Sequence, residues 1–184
     1  DGAEFNNDQR KNILSGSRNI DITNVTDRDQ GYILFKYSNR TSTGIAGSNS
    51  TFVDTDFPLF RFADVYLMYA ECAVRGASNA TMLQATTFIN LLRQRANNGA
   101  ITSNISQSNL TLDFILDERS RELHWEGHRR QDLIRFNKYT GGTYNWAWKG
   151  NGINGIALPQ HMKIFPIHPA TLSSNPNLTQ NPGY

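Results

Sequence analysis

The chain has 184 residues, which is enough to bury the hydrophobic core of one domain of ordinary size. Its formal charge is only +2, so no strong electrostatic field draws it to anionic lipid or to nucleic acid, and we expect no nucleic-acid partner. Charged residues make up 18% of the chain against about 25% in typical soluble domains, and uncharged polar residues take their place, as is typical of secreted and cell-surface proteins.

The first 56 residues are polar and rich in turn-forming residues, so we expect mostly surface loops there. Residues 31–37 are the best strand candidate, because aromatic and β-branched residues cluster in them. Asp54, Asp56 and Pro58 then give a helix-start signal. The two carboxylates also offer the oxygen ligands that calcium prefers, so a structural calcium at Asp54 and Asp56 is an alternative to helix capping.

The first helix is predicted over residues 59–75, and Gly76 is expected to end it because glycine tolerates a left-handed cap. Two apolar stripes run along this helix at helical spacing. The first contains Leu59, Phe62, Ala63, Tyr66, Ala70 and Ala73, and the second contains Val65, Met68, Tyr69 and Cys72. Two stripes predict a helix that is covered on more than one side, with the single cysteine buried as a small apolar group.

Three more helices are predicted, over residues 78–96, 111–126 and 129–137. Their apolar faces carry Ala85, Phe88, Ile89, Leu92 and Ala96 in the second helix and Leu112, Ile115, Leu116 and Leu123 in the third. The second helix should pair with the first as a helical hairpin.

From residue 141 onward, glycine, asparagine and proline leave room only for short strands such as residues 163–167. Apolar residues still recur in this tail, at Leu158, Ile164, Phe165, Ile167 and Leu178. We therefore expect an irregular but ordered tail wrapped over the helices, with these residues buried.

The densest cluster of ionisable residues lies in residues 117–132. Its carboxylates are Glu118, Glu122 and Glu126, and its nearby guanidinium groups are Arg121, Arg129 and Arg130. Three like charges at four-residue spacing on one helix repel each other, so we expect the arginines to pair with them and join helix to helix. The alternative is a glycoside hydrolase that uses Glu118 and Glu122. Arginines this close should lower the pKa of the carboxyl groups, which argues against a general acid, and we predict no catalytic residue.

Tyr144, Trp146 and Trp148 alternate along the chain and would share one face of an extended segment. A flat row of rings could stack on sugar faces, with Asn145, Lys149 and Asn151 close enough to bind hydroxyl groups. The alternative is that the rings anchor the tail onto the helices. We take Tyr144, Trp146 and Trp148 as the candidate ligand-binding residues.

Several segments in the same order resemble the C-terminal part of the SusD/RagB family. They are FPLFRFADVYLMYAE at 57–71, INLLRQRA at 89–96, ILDERSREL at 115–123 with EGHRRQDLIR at 126–135, and FPI at 165–167 with NPNLTQNPGY at 175–184. The resemblance implies a mainly α fold of tetratricopeptide-like helix pairs with loop-rich extensions and short strands. The predicted helix starts depart from the regular repeat of about 34 residues, so such pairs would be irregular here.

The resemblance also implies a function. Proteins of this kind bind oligosaccharides or other nutrients at the cell surface, without catalysis or a required cofactor, and work with a SusC-like TonB-dependent transporter. They carry a signal peptide in the precursor and a lipid anchor that holds them at the outer membrane. That anchor would lie outside this segment, which we expect to be part of a longer protein. A non-catalytic scaffold that binds another protein is the alternative function.

We expect one C-terminal domain over residues 1–184. Within it, residues 1–56 form a loop-rich lead-in, residues 57–140 a helical block and residues 141–184 the wrapped tail.

Overall fold

The computed structural model describes residues 8–14 and 16–184. Contacts group the chain into two compact units, Asp1–Arg129 and Arg130–Tyr184. The described part of the chain is mainly helical, with one small two-stranded sheet.

The sheet lies in the first unit, where β1 (Ile13–Leu14) pairs antiparallel with β2 (Ile33–Leu34). Ile13 is opposite Leu34 and Leu14 is opposite Ile33. The strand predicted over residues 31–37 therefore forms only at its centre. Gly31 explains the late start, because its φ of 75° is a left-handed conformation that cannot continue a strand.

Helix α1 (Phe62–Val74) begins three residues later than predicted. The residue before it, Arg61, has extended backbone with φ −148° and ψ 156°. The predicted end is confirmed, since Gly76 has φ 84°. The Ala77 N–H donates to the Cys72 carbonyl at 3.0 Å and the Gly76 N–H donates to the Ala73 carbonyl at 3.0 Å, so the last carbonyl groups of the helix are satisfied.

Helices α2 (Met82–Ala96) and α3 (Leu112–Leu123) both pack against α1. The core of the first unit consists of Ala63, Leu67, Ala70 and Ala73 from α1, Ala85, Ile89, Leu92 and Ala96 from α2, and Leu110, Ile115, Leu116 and Leu123 from α3 and the residues before it. The small alanine side chains let the helices approach closely. The predicted apolar faces of the second and third helices are confirmed by this core, except that Phe88 and Leu112 are half-buried.

Helix α2 starts at Met82 rather than near residue 78, because a turn precedes it and Thr81 caps it. The Ala80 N–H donates to the Ala77 carbonyl at 3.2 Å in that turn. The Thr81 hydroxyl oxygen accepts a hydrogen bond from the Gln84 N–H at 3.2 Å.

The second apolar stripe of α1 is only partly covered by the described residues. Tyr69 is half-buried, with its ring centre 5.1 Å from that of Phe88 on α2. Val65 is 48% exposed and Met68 is 44% exposed, and Cys72 is also exposed. The prediction of a buried cysteine was therefore wrong. Helices α2 and α3 bury the alanine face of α1, and Cys72 lies outside that face.

The second unit contains α5 (Pro169–Ser174) and all of α4 (Arg129–Arg135) except its first residue. The strand predicted over residues 163–167 is wrong, because a 3₁₀ turn over Gln160–Lys163 is followed by chain without a strand partner. Side chains take the place of that partner. Gln180 accepts from the Ile167 N–H at 2.8 Å and donates to the Ile167 carbonyl at 2.9 Å.

The apolar residues of the tail are mostly not buried. Leu158 is 8% exposed, as expected, and Ile167 is half-buried. Ile164, Phe165 and Leu178 are 57%, 68% and 39% exposed, so the prediction of burial was wrong for these three. The tail is held mainly by polar contacts, such as that from Asn181 Nδ2 to the Phe165 carbonyl at 2.7 Å.

Within the described ranges, none of the helices combines the length and the apolar character that crossing a membrane requires.

Candidate functional site

The three glutamates do not lie on one helix as predicted. Glu118 and Glu122 are on α3, but that helix ends at Leu123. Trp125 and Gly127 then adopt left-handed backbone, with φ 63° and 79°, and Glu126 lies in the turn between them. All three carboxylates are buried, which requires them to be compensated by cations or hydrogen bonds.

Glu118 is fully buried and is surrounded by three guanidinium groups. Its Oε1 accepts from Arg10 Nη1 at 2.8 Å, and its Oε2 accepts from Arg93 Nη1 at 2.9 Å and from Arg121 Nη2 at 2.7 Å. Burial by itself would raise the pKa of Glu118, but the charges of Arg10 and Arg121 outweigh burial and lower it.

Glu122 has a similar environment. Its Oε1 accepts from Arg61 Nη1 at 2.6 Å, and its Oε2 accepts from Arg95 Nη2 at 2.5 Å and from Arg10 Nη1 at 3.0 Å. Burial opposes ionisation here too, but hydrogen bonds from Arg95 and Arg61 lower the pKa of Glu122 below its ordinary value.

Glu126 pairs with cations that sequence spacing did not identify. Arg61 donates from Nε to Oε2 and from Nη2 to Oε1, both at 2.7 Å, and Lys36 donates to Oε1. The pKa of Glu126 is lowered because these hydrogen bonds outweigh burial. The ion-pair network is thus confirmed, but the expected partners Arg129 and Arg130 instead donate to main-chain carbonyl groups, Arg129 to that of Leu116.

This geometry does not suit a glycoside hydrolase at Glu118 and Glu122. A general acid must hold a proton near neutral pH, which requires a raised pKa. The pKa values of Glu118, Glu122 and Glu126 are all lowered, and guanidinium groups occupy the carboxylate oxygens that would meet a substrate. The cluster, here called the carboxylate network, joins α2, α3 and the chain before α1.

The predicted aromatic row lies on a loop of the second unit that is not extended. The chain turns at Trp148, which has φ 67°. The Tyr144 and Trp146 rings are 6.0 Å apart and inclined by 61°, an edge arrangement rather than a flat platform. Trp146 is 41% exposed, and Tyr144 and Trp148 are half-buried. A ligand-binding role for the three residues stays a prediction, with Trp146 as the most accessible ring.

Lys149 supports this loop rather than facing a ligand. Its side chain is buried, and Nζ donates to the Tyr144 carbonyl at 2.7 Å, the Gly141 carbonyl at 3.3 Å and Asn145 Oδ1 at 3.2 Å. Nζ also lies 5.0 Å from the centre of the Trp146 ring. The ammonium therefore holds the loop from within, so we no longer expect it to bind sugar hydroxyl groups as its position in the sequence had suggested.

Asp54 closes a loop of the first unit. Its carboxylate accepts from the Ser48 N–H at 2.6 Å and from the Ser48 hydroxyl at 2.7 Å, and these hydrogen bonds lower its pKa. Among residues 8–14 and 16–184, no group of three or more His, Cys, Asp or Glu side chains is placed to hold a metal ion. A structural calcium at Asp54 and Asp56 remains a prediction.

Asp56 borders a largely apolar cavity of about 270 Å³ that sequence analysis did not find. Tyr37 and Phe57 form two of its walls, with ring centres 6.1 Å apart and planes inclined by 47°. These residues are 20 positions apart, so local spacing carried no signal for the cavity. A second cavity, of about 350 Å³, lies against the carboxylate network.

A family model described as the SusD family matches residues 1–184, the whole chain. The chain belongs to the SusD family. The starch-binding protein SusD of Bacteroides thetaiotaomicron is 36% identical to it over 172 residues, which is 94% of this chain and 29% of that protein. SusD-like protein P38 of Formosa agariphila is 37% identical over 139 residues, which is 71% of this chain and 25% of that protein.

Two solved structures share the fold, and the first is described as a SusD superfamily protein. A protein from Parabacteroides distasonis has a TM-score of 0.58 at 26% identity, over 84% of this chain and 32% of that one. Surface glycan-binding protein A from Bacteroides uniformis has a TM-score of 0.51 at 28% identity, over 70% of this chain and 28% of that one. The chain thus spans about a third or less of the length of each of these proteins.

Proposed function

We propose that this SusD-family chain serves a non-enzymatic protein that binds glycans at the cell surface. Two of its relatives are described as a starch-binding protein and a surface glycan-binding protein. The observation that carries the proposal is the carboxylate network. Its ionised and fully paired glutamates can stabilise the fold but are poorly suited to acid-base catalysis.

The chemistry of glycan capture fits the exposed rings better than the buried charges. Sugars present apolar faces edged by hydroxyl groups, so an aromatic side chain with polar neighbours binds them without catalysis. Trp146 is exposed beside Asn145 on a loop that Lys149 holds in place. This loop is the surface that we propose contacts the ligand.

The proposal includes a place in the cell and a partner. We place the protein at the outer membrane, lipid-anchored and surface-exposed, where it delivers oligosaccharides to a SusC-like TonB-dependent transporter. Family membership supports this placement. Affinity purification from the native membrane should recover such a transporter together with the protein. A scaffold function would give the same co-purification without any glycan affinity.

Isothermal titration calorimetry with starch oligosaccharides and other soluble glycans tests the binding claim, with chromatography of the mixtures to detect cleavage. We expect binding to at least one glycan and no product release. If none of the glycans gave a heat of binding, the proposal of glycan binding would be overturned. Products that form with the wild type and are lost with Glu118→Gln would establish a hydrolase instead.

Two tryptophan variants test the surface. Trp146→Ala should weaken glycan binding roughly two- to twelvefold, because one aromatic contact is worth roughly 0.5–1.5 kcal/mol. Trp125→Ala is the matched control, since Trp125 is an exposed tryptophan of the first unit at 64% exposure. Loss of affinity in Trp125→Ala but not in Trp146→Ala would move the binding surface away from the loop.

A further inference from the structure

The cavity beside the carboxylate network, here called the basic pocket, has a volume of about 350 Å³. Its charged lining consists of Arg10, Lys36, Arg61, Arg95 and Glu122, with His124 next to them. Four cationic side chains thus border the pocket against one carboxylate. None of the lining residues is part of the aromatic loop proposed to contact glycans.

The single carboxylate on the wall is already shared among the cations. Glu122 accepts from Arg61 on one oxygen and from Arg95 on the other, at 2.6 Å and 2.5 Å. Glu118 and Glu126 bind Arg10, Arg61 and Lys36 without bordering the pocket. The pocket wall itself therefore carries four cations and one carboxylate, while Asp8, Glu118 and Glu126 offset part of that positive charge from outside the lining.

Two of the cations keep donor capacity toward this space. Arg95 donates only from Nη2 within the part of the chain that the structure describes, and its side chain is 54% exposed. Lys36 Nζ donates to the Glu122 carbonyl at 2.6 Å and to Glu126, which leaves one of its three N–H groups. Burial lowers the pKa of Lys36, with Arg61 adding to the effect and Glu126 opposing it.

We propose that the basic pocket binds an oxyanion, the carboxylate or sulfate group of an acidic ligand such as an acidic sugar. The remaining guanidinium N–H groups of Arg95 can contact two oxygens of one oxyanion, and Lys36 supplies a point charge. A neutral sugar carries no negative charge that could pair with Arg95 and Lys36. The oxyanion site does not depend on the glycan-binding proposal, because a free oxyanion such as inorganic sulfate would bind in the same way.

Inorganic sulfate and galacturonate are the probes, titrated into the purified protein at constant ionic strength set with chloride. Galactose serves as the neutral control for galacturonate. We expect saturable binding of sulfate, galacturonate or both, and none of galactose. Binding of only one anion would identify which acidic group the pocket takes. Absence of saturable binding for both anions would overturn the proposal.

Arginine variants distinguish anion binding in the basic pocket from a general effect of removing one positive charge. Arg95→Gln should weaken anion binding at least about tenfold, since it removes a guanidinium group that lines the pocket. Arg75→Gln is the matched control, because Arg75 directly follows α1, is 41% exposed at its side chain and pairs with the buried Glu71 at 2.9 Å. Equal losses in the two variants would overturn the proposal. Arg95→Lys keeps the positive charge but loses the paired N–H groups of the guanidinium. Its affinity for the anion should lie between those of the wild type and Arg95→Gln.

Discussion

Arg61, the residue that precedes α1, donates a hydrogen bond from Nη1 to Glu122 Oε1 at 2.6 Å. The same guanidinium holds Glu126 through two further hydrogen bonds of 2.7 Å. One side chain therefore fastens the start of α1 to α3 and to the turn that follows α3. Burial by itself would lower the pKa of Arg61, but the two carboxylates raise it, so the charge is retained throughout.

Arg61→Ala should lower the free energy of unfolding by about 2–4 kcal/mol, because it leaves two buried carboxylates with fewer cations. Urea unfolding followed by circular dichroism measures this loss. Arg75→Ala is the control and should cost less than Arg61→Ala, because its 41% exposed side chain pairs with a glutamate only four positions away, at 2.9 Å. Similar losses in the two variants would show that Arg61 is not central to the fold.

Stability should fall steeply in acid. The pKa values of Asp8, Glu118, Glu122 and Glu126 are lowered in the folded protein, from 3.8 for Asp8 and 4.5 for the glutamates when unperturbed. Their contribution to stability is therefore complete above the unfolded pKa values and is lost as the pH falls through the lower folded ones. Urea titrations between pH 7 and pH 3 should show stability that declines mainly below about pH 4.5.

Glu122→Gln provides the control for that acid dependence, since it removes one of the titrating groups. The variant should be less stable at pH 7 and should lose less stability on acidification than the wild type. A slope equal to that of the wild type would mean that Glu122 is not among the groups responsible.

Thr81→Ala should destabilise the first unit by about 1 kcal/mol, because it removes the hydroxyl that caps α2. Thr87→Ala is a matched control on the same helix. The Thr87 hydroxyl donates to the Leu83 carbonyl at 3.0 Å within α2, and alanine is the better helix former. The melting temperature of Thr81→Ala should lie below that of the wild type, and that of Thr87→Ala should equal or exceed it. The opposite order would refute the assigned helix start.

Cys72 should react with a thiol reagent in the folded chain. It is the single cysteine and it is exposed on α1. We expect one equivalent of Ellman's reagent to react without denaturant, at a rate within a few-fold of that after unfolding. Reaction that requires denaturant would restore the earlier prediction of a buried thiol.

Lys149→Met should loosen the aromatic loop, since three partly buried or exposed oxygen acceptors lose their hydrogen bonds from the buried ammonium. The expected loss is about 1–3 kcal/mol, with faster amide hydrogen exchange over residues 141–152. Lys163→Met is the control, because Lys163 Nζ donates to the exposed Asn137 at 3.2 Å. Unchanged exchange in Lys149→Met would show that the ammonium does not hold the loop.

Local spacing predicted the helices well because it reports on neighbours within a few turns. The alanine face of α1, the apolar face of α2 and the cap at Gly76 all follow from periodicity and from glycine's freedom at positive φ. The early end of α3 was missed, because Trp125 in left-handed backbone gives no signal in the sequence.

The sequence by itself determined a mainly helical SusD-family chain whose clustered glutamates required arginine partners. Only the tertiary structure decided which cations pair with these glutamates. Arg10 binds Glu122 across 112 positions of the sequence, and Lys36 binds Glu126 across 90. The same folding buried Lys149 and left Cys72 exposed. The physical reason is that burial and ion pairing depend on which distant segments meet, whereas helix formation depends on residues three and four positions apart.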